Sequence, residues 1–333
     1  MISITTYLIS FLISIAVLVW AVIQDEYFSP KQTMMISMMT IGNGGYLALA
    51  VSNNVEEAIL AYKILYVIGI FVPMLIFFII CEICKIRLNR VLQTILFLVQ
   101  GLLYFGVLSV GHSKLFYKSV DYYNADGISY ITKEYGPLHS LYLVSLVFYL
   151  IAVIVVIAFS VKRRNMVSRK NIDAMVVLEF LTVSCYVLER IFDLNVELVP
   201  LADTITLVVF TILLRRLRIF SIYDNKNIIN SKLEKVGCIV FDKKLKYMGC
   251  NVTARGFFPE INEWELDSKI PGKGGYYNTY LKRPLQEYVE SEDRSVKSSK
   301  EIKIKENVYV VSFSTVSTYS GKIQGYTAEI EKK

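Results

Sequence analysis

The sequence predicts an all-α bundle of seven transmembrane helices, followed by an α+β domain with a five-stranded antiparallel sheet. Hydrophobic residues make up 54% of the 333 residues, against roughly 45–50% in a typical soluble domain, and the excess lies before about residue 218. The last third instead alternates short β-branched runs with polar turns, as a sheet does. We therefore divide the chain into a membrane region at 1–218, a helical linker at 219–235 and a domain at 236–333.

Seven apolar runs are each long enough to cross a bilayer as a helix, which takes about 20 residues. No lysine or arginine precedes the first run and no small-residue cleavage site follows it, so we predict a retained helix rather than a signal peptide. Asp173 and Glu179 interrupt the sixth run, and Glu179 has no evident partner. The predicted spans are Ile4–Ile23, Thr33–Val51, Ile59–Ile80, Val91–Val110, Leu138–Val161, Ile172–Leu188 and Leu198–Leu214.

The distribution of lysine and arginine predicts how the spans are oriented. Connections on one side of the membrane carry twelve such residues, whereas the other side carries four. Because basic residues accumulate in cytoplasmic loops, the N-terminus is predicted outside and the last domain in the cytoplasm, at the plasma membrane. The four outer residues are Lys114, Lys118, Lys133 and Arg190. The twelve inner ones are Lys31, Lys85, Arg87, Arg90, Lys162, Arg163, Arg164, Arg169, Lys170, Arg215, Arg216 and Arg218.

Polar and aromatic side chains gather at the predicted outer ends of several spans. Ionisable groups inside a bilayer are costly, so each needs a partner or a role. One interpretation is a shared ligand pocket that opens outward. The other is a set of interface anchors with one structural ion pair, such as Arg190 with Asp203. The candidate ligand-binding residues are Tyr62, Tyr66, His139, Tyr142, Arg190 and Asp203.

Two further features concern packing and the longest outer connection. Asn43, Gly44 and Gly45 lie within the second span, where small residues allow helices to approach closely. Pro73 predicts a kink in the third span, because it removes one backbone hydrogen bond. The connection His112–Pro137 is rich in tyrosine, which fits either an aromatic belt at the headgroup level or a lid over an outward pocket.

The last domain reads as two strands, two helices and three strands, which predicts a five-stranded antiparallel sheet with helices on one face. Pro259 ends the first of the two helices. The predicted strands are Gly237–Asp242, Leu245–Cys250, Glu301–Lys305, Val308–Val316 and Lys322–Ile330, and the predicted helices are Val252–Phe258 and Tyr280–Val289.

The whole chain resembles bacterial modular sensor proteins. Tyr66–Pro73, followed by an apolar half-span, is similar to a segment of the seven-helix N-terminal input region of many membrane histidine kinases and diguanylate cyclases, as are the seven spans and the basic exit at Arg215–Arg218. The last domain resembles a PAS domain. Gly237–Asn251 is similar to its opening hairpin and Gly325–Glu331 to its closing strand, although Glu329-Ile330-Glu331 stands where many PAS domains have Asp-Ile-Thr.

Several chemistries are excluded or disfavoured by what the sequence lacks. No histidine follows His139, which excludes a phosphoaccepting His box and a haem-holding histidine in the last domain. Gly272–Gly275 lacks the spacing of a phosphate-binding loop, and Cys250-Asn251 is not a flavin-binding motif. Cys81 and Cys84 form a single C-x-x-C pair, a weak metal signal. We therefore expect no catalytic residues, metal or cofactor, and no nucleic-acid partner, since no basic cluster with stacking groups is present.

The resemblance implies a signal-transducing input module in the bilayer, dimeric with a second copy. It would detect a small ligand or a membrane stimulus and relay it through the PAS-like domain. Its output would come from a separate signalling protein or from a longer chain. The alternative is a small-molecule transporter with a cytoplasmic regulatory domain, which would show inverted repeats that the sequence lacks. A membrane enzyme would need a catalytic constellation, but the outer cluster offers one histidine and no clear nucleophile.

Overall fold

The chain forms two compact units, one of Met1–Lys162 with Ile172–Ile212 and one of Arg163–Asn171 with Leu213–Lys333. The last two turns of the seventh helix therefore belong to the second unit. A computed structural model describes residues 2–24, 27–84, 86–125, 127–161, 168–192, 198–221, 235–272, 275–291, 298–304, 306–318 and 321–333.

Seven long helices occupy the part of the chain described before Ser221. Four of them, the helices that begin at Ile2, Val55, Arg90 and Pro137, are long and apolar enough to cross a membrane. The other three carry polar or charged residues within their apolar runs, so the seven-span topology stays a prediction. The helices are α1 (Ile2–Ile23), α2 (Pro30–Ala50), α3 (Val55–Ile83), α4 (Arg90–Leu108), α5 (Pro137–Val161), α6 (Arg169–Phe192) and α7 (Val199–Ile219).

Glycines let α2 lie very close to its neighbours. A Cβ atom on Gly45 would come within 2.7 Å of the backbone nitrogen of Leu65 in α3, and one on Gly44 within 3.0 Å of the Phe11 ring in α1. Without a hydrophobic drive between helices in lipid, close backbone approach is a main source of packing energy. The prediction of close packing around Asn43 is thus confirmed in its geometry.

Asn43 links three helices through a buried polar network. Ser14 Oγ donates to Ser10 O at 2.8 Å, and Thr204 Oγ1 donates to Pro200 O at 2.7 Å. The single proton of each hydroxyl is therefore used in a bond within its own helix. Both hydroxyls must then accept, and the Asn43 amide nitrogen donates to them at 2.6 and 3.1 Å. One side chain of α2 therefore connects α1 to α7.

The connection between α4 and α5, which the loop charges predict to be outer, folds as a β-hairpin of β1 (Tyr117–Ala125) and β2 (Ile128–Tyr135). We had expected a loop there. The hairpin signal is the Asp126-Gly127 pair between runs of β-branched and aromatic residues, since such pairs favour tight turns with positive φ. Gly127 has a φ of 76°.

The second unit contains a single sheet of six antiparallel strands among its described residues, in the order β5-β4-β3-β8-β7-β6. The prediction of five strands was wrong by one, because the two-residue edge strand β5 is too short to leave a sequence signal. The helices α8 (Val252–Phe257) and α9 (Lys282–Glu290) lie between the strands in the chain. The strands are β3 (Val236–Asp242), β4 (Lys246–Cys250), β5 (Ser268–Lys269), β6 (Ser298–Ile304), β7 (Asn307–Ser317) and β8 (Ile323–Lys332).

Asn251 joins the opening hairpin of this sheet to its first helix. Its side-chain oxygen accepts from the backbone nitrogens of Ala254 and Cys238, both at 2.9 Å, and its amide donates to Val236 O at 2.7 Å. Large aromatic side chains then fill the core between helices and sheet, including Phe241, Tyr247, Trp264, Tyr277 and Phe313. The predicted linker at 219–235 lies mostly outside the described residues.

The close approach of α2 and α3 predicts opposite effects for two glycine substitutions. Gly45→Ala should destabilise the protein by about 1–3 kcal/mol, because its Cβ would overlap the Leu65 backbone. Gly101→Ala is the matched control, since nothing lies within 4 Å of its Cβ in α4, and helix propensity should make it neutral or stabilising by up to about 1 kcal/mol. Unfolding in one detergent measures both, and equal stabilities would contradict the packing described.

The predicted orientation is tested with exposed positions on each side. In a cysteine-free background, His112→Cys and Lys118→Cys should react with a membrane-impermeant thiol reagent in intact cells. Arg87→Cys and Lys243→Cys should react only after lysis, and all four residues are exposed in the fold. Labelling of Arg87→Cys without lysis would reverse the topology derived from the loop charges.

Candidate functional site

An aromatic cluster joins the hairpin to the adjoining ends of α3 and α5. Tyr62 and Tyr66 are one helical turn apart on α3, so their rings share a face at 5.6 Å between centroids. Phe116, at the start of the hairpin, is fully buried and lies edge-on to Tyr66 at 5.0 Å. Its ring also meets His139 and Tyr142 of α5 at 5.5 and 6.2 Å. The Phe116 ring is therefore enclosed by rings of both helices.

Hydrogen bonding and stacking supplement the ring packing. The hydroxyls of Tyr66 and Tyr117 are hydrogen-bonded to each other. The His139 ring stacks on Tyr135 with centroids 4.0 Å apart and an interplanar angle of 21°. Burial raises the pKa of the Tyr117 phenol far above its ordinary value, and the neighbouring Tyr66 adds to the rise. Tyr117 therefore stays protonated and supplies no negative charge to the cluster.

One cation lies among these rings. Lys133 of β2 places Nζ 4.1 Å from the centroid of the Tyr62 ring and 5.8 Å from that of Tyr117. Its ammonium also donates to the Tyr62 hydroxyl. The hydrogen bond places the ammonium at the hydroxyl edge of Tyr62 rather than over its ring face. Lys133 therefore links β2 to α3 through the Tyr62 hydroxyl.

The hairpin is also tied to the end of α2. Ser129 Oγ donates to the carbonyl of Ser52 at 2.5 Å, and the Tyr122 hydroxyl donates to the same carbonyl at 3.1 Å. Ile128 packs with Tyr7 and Ala50 in a small apolar cluster. Tyr130 packs against this apolar cluster, and the exposed Tyr123 stacks on Tyr130 with ring centroids 5.3 Å apart.

Four of the six predicted site residues meet in the aromatic cluster: Tyr62, Tyr66, His139 and Tyr142. Asp203 is 4% exposed on α7, next in the chain to Thr204 of the polar network. The side chains of Arg190 and Glu179 lie outside the described residues, and so does the proposed pair of Arg190 with Asp203. The ligand-binding role of the six residues stays a prediction.

Sequence reasoning missed Phe116, Tyr117 and Lys133 as members of the site. As part of a predicted loop, Lys133 contributes only a charge to the topology, because a loop does not define the side to which a residue points. The available signal was the period of two in β2, which puts Ile131, Lys133 and Tyr135 on one face. Thr132 and Glu134 are exposed on the other face.

A buried carboxylate in the second unit binds the end of α7. Asp267 is 2% exposed on its side chain, and Arg216 of α7 donates to it at 2.9 Å, with Lys246 at 4.0 Å. Asp267 has a φ of 60°, a left-handed conformation that aspartate adopts more readily than most residues. Phe220, just after α7, lies over Gly325 of β8, where a Cβ would come within 3.0 Å of the ring. The end of α7 is therefore packed on the sheet domain.

The apolar helices, with polar groups turned into the bundle, define a multi-pass membrane protein. Residues 6–223, more than half of the chain, match the family described as the N-terminal 7TM region of histidine kinase, and the chain belongs to this family. The match supports a membrane sensory input module of histidine kinases and does not favour the transporter alternative. No curated protein and no solved structure matches the chain.

The central position of Phe116 predicts a large loss of stability when its ring is removed. Phe116→Ala should lower the free energy of unfolding by about 3–5 kcal/mol, because the cavity is lined by rings that cannot collapse into it. Phe105→Ala is the control, since Phe105 is 70% exposed on α4, and its effect should stay within about 0.5 kcal/mol. Denaturation in detergent compares the two variants. Similar losses for both would mean that the cluster contributes little.

Proposed function

We propose that the chain senses a small ligand or a membrane stimulus at the outer face and relays it to a cytoplasmic PAS-like domain. The observation that carries this proposal is that α7 is shared between the two units. Its first part belongs to the bundle and its last two turns belong to the second unit, where Arg216 binds Asp267. A shift of α7 would therefore act directly on a buried charge of the sheet domain.

The second unit supports a PAS-like relay by its order of elements. Two strands, a helix, a two-residue edge strand, a second helix and three strands follow one another in the chain, and the six strands form one antiparallel sheet in which β3 pairs with β8. This pairing brings the opening hairpin and the closing strand, the two segments that resemble a PAS domain, into contact. The aromatic side chains that fill the core favour a domain that acts through its packing rather than through a bound cofactor.

The outer end supports a sensory role because its contacts converge on one hairpin. Ring contacts, the hydrogen bond of Lys133 to Tyr62 and the bonds to Ser52 link the hairpin to α2, α3 and α5. The Asn43 network joins α2 to α7. A stimulus that favours one arrangement of these contacts would shift the bundle between two states.

In this proposal the chain itself transfers no phosphoryl group. No histidine follows His139, so a phosphoaccepting histidine would belong to another protein or to a further segment. The chain would act in the plasma membrane as a homodimer, with its sheet domain in the cytoplasm.

The relay is tested by fusing the full chain at Lys333 to a histidine-kinase output module that drives a reporter. Arg216→Gln and Asp267→Asn should each change basal reporter output by several-fold, and the double variant should resemble the single ones, because both remove one interaction. Arg283→Gln is the matched control, since its pair with Glu287 is exposed on both sides.

Membrane insertion and expression of all fusions are compared by immunoblot. Reporter output that stays at the parent level in both Arg216→Gln and Asp267→Asn would refute the relay through this ion pair.

A further inference from the structure

One end of the sheet in the second unit carries exposed lysines in two neighbouring turns. Asp242 of β3 pairs with Gly325 of β8, so the turn after β3 and the turn that joins β7 to β8 lie at the same end of the sheet. The first turn carries Lys243 and Lys244, the second carries Lys322, and all three residues are exposed.

Strand β5 adds a fourth exposed lysine at this end. Lys269 pairs directly with Lys246, the first residue of β4, and like charges opposite each other destabilise a sheet. Lys246 has Asp267 as a partner at 4.0 Å, whereas Lys269 is exposed. We call the four exposed residues the lysine end: Lys243, Lys244, Lys269 and Lys322.

The acidic residues close to the lysine end do not balance its charge. The Asp242 carboxylate accepts from the backbone nitrogens of Lys244 and Lys246, both at 2.8 Å, so it serves to close the turn. The side chain of Asp267 is 2% exposed. Exposed Glu265 offsets one of the four lysines, and the lysine end therefore keeps a net positive charge.

The opposite end of the sheet mixes both signs of charge. Exposed Lys303 and Lys332 lie at that end together with exposed Glu306 and Glu331. Charge of one sign is thus concentrated at the lysine end, which indicates a partner of negative charge there.

The lysine end is also where α7 joins the sheet. Arg216 of α7 binds Asp267 just before β5, and Phe220 lies over Gly325 of β8. The basic exit at Arg215–Arg218 therefore touches this end of the sheet. In the predicted topology the exit lies at the headgroups of the cytoplasmic leaflet. Because a surface potential decays over a Debye length of about 8 Å, the lysine end is well placed to meet anionic headgroups.

We propose that the lysine end is a docking surface for anionic phospholipid headgroups of the leaflet that α7 leaves. Each basic residue near such a surface adds to the attraction, so the four lysines and the basic exit bind as a group. The binding does not depend on the proposed sensory function, but its consequence rests on it. Lipid contact beside the pair of Arg216 with Asp267 would make the relay sensitive to the charge of the membrane.

The first test uses the unmodified full chain in nanodiscs of phosphatidylcholine alone or mixed with phosphatidylglycerol. An uncharged reagent acylates exposed lysines, and mass spectrometry gives the rate at each. Rates at Lys243, Lys244 and Lys322 should fall by at least about threefold with the anionic lipid, whereas Lys303 and Lys332 should change little. About 1 M NaCl, where the Debye length is about 3 Å, should remove the difference.

A soluble anion separates lipid docking from simple phosphate binding. Glycerol phosphate added to phosphatidylcholine nanodiscs should protect no residue of the lysine end, because it lacks the multivalency of a surface. A second variant-based test asks whether the lysines act together. In Lys243→Gln/Lys244→Gln/Lys322→Gln, Lys269 should lose the protection that phosphatidylglycerol gives it.

The matched control is Lys235→Gln/Lys303→Gln/Lys332→Gln, which removes three exposed lysines outside the lysine end and should leave Lys269 protected. The proposal is overturned by equal acylation of the lysine end in both nanodiscs, by equal protection of Lys303, or by equal protection with glycerol phosphate. Protection of Lys269 that persists in the first triple variant would overturn it as well. These rates measure contact with lipid, so they are independent of the reporter test of the relay.

Discussion

The burial of Phe116 among the rings of α3 and α5 is the contact on which the hairpin between α4 and α5 depends. A two-stranded hairpin is marginally stable by itself in water, so β1 and β2 need an apolar surface to fold against. The cluster provides that surface, since Phe116 is fully buried and meets Tyr66, His139 and Tyr142. The hairpin then positions Lys133 at the Tyr62 hydroxyl, and the candidate site exists only while this packing persists.

Within the bundle, close packing depends on glycines and on hydroxyl groups that already donate a hydrogen bond within their own helices. Gly44 and Gly45 bring α2 against α1 and α3, and that proximity makes the Asn43 bridge geometrically possible. Because Ser14 and Thr204 each donate within their own helix, the Asn43 amide must turn its nitrogen, not its oxygen, toward the two hydroxyls. A polar side chain in such a network is conformationally defined, which suits the proposed path from the hairpin to α7.

The sequence predicted most elements because the signals that it carries are local. Apolar runs predicted the helices, and alternation with turn residues predicted five strands of the second sheet to within a few residues. The ring cluster was anticipated in part, since Tyr62, Tyr66, His139 and Tyr142 fall at one predicted membrane face. Strand β5 could not be anticipated, because it follows from the left-handed backbone of Asp267 and from pairing with β4. Lys133 was missed because a count of loop charges ignores which way a strand residue faces.

Hydrogen exchange of the intact protein in nanodiscs measures most directly whether the cluster makes the hairpin part of the bundle. Amides that bond between β1 and β2 should exchange as slowly as those around Tyr66 in α3, since both would open only when the ring packing is lost. Exchange of the hairpin amides orders of magnitude faster than those of α3, with α3 still protected, would show that the hairpin opens by itself. That result would contradict the dependence of the candidate site on the burial of Phe116.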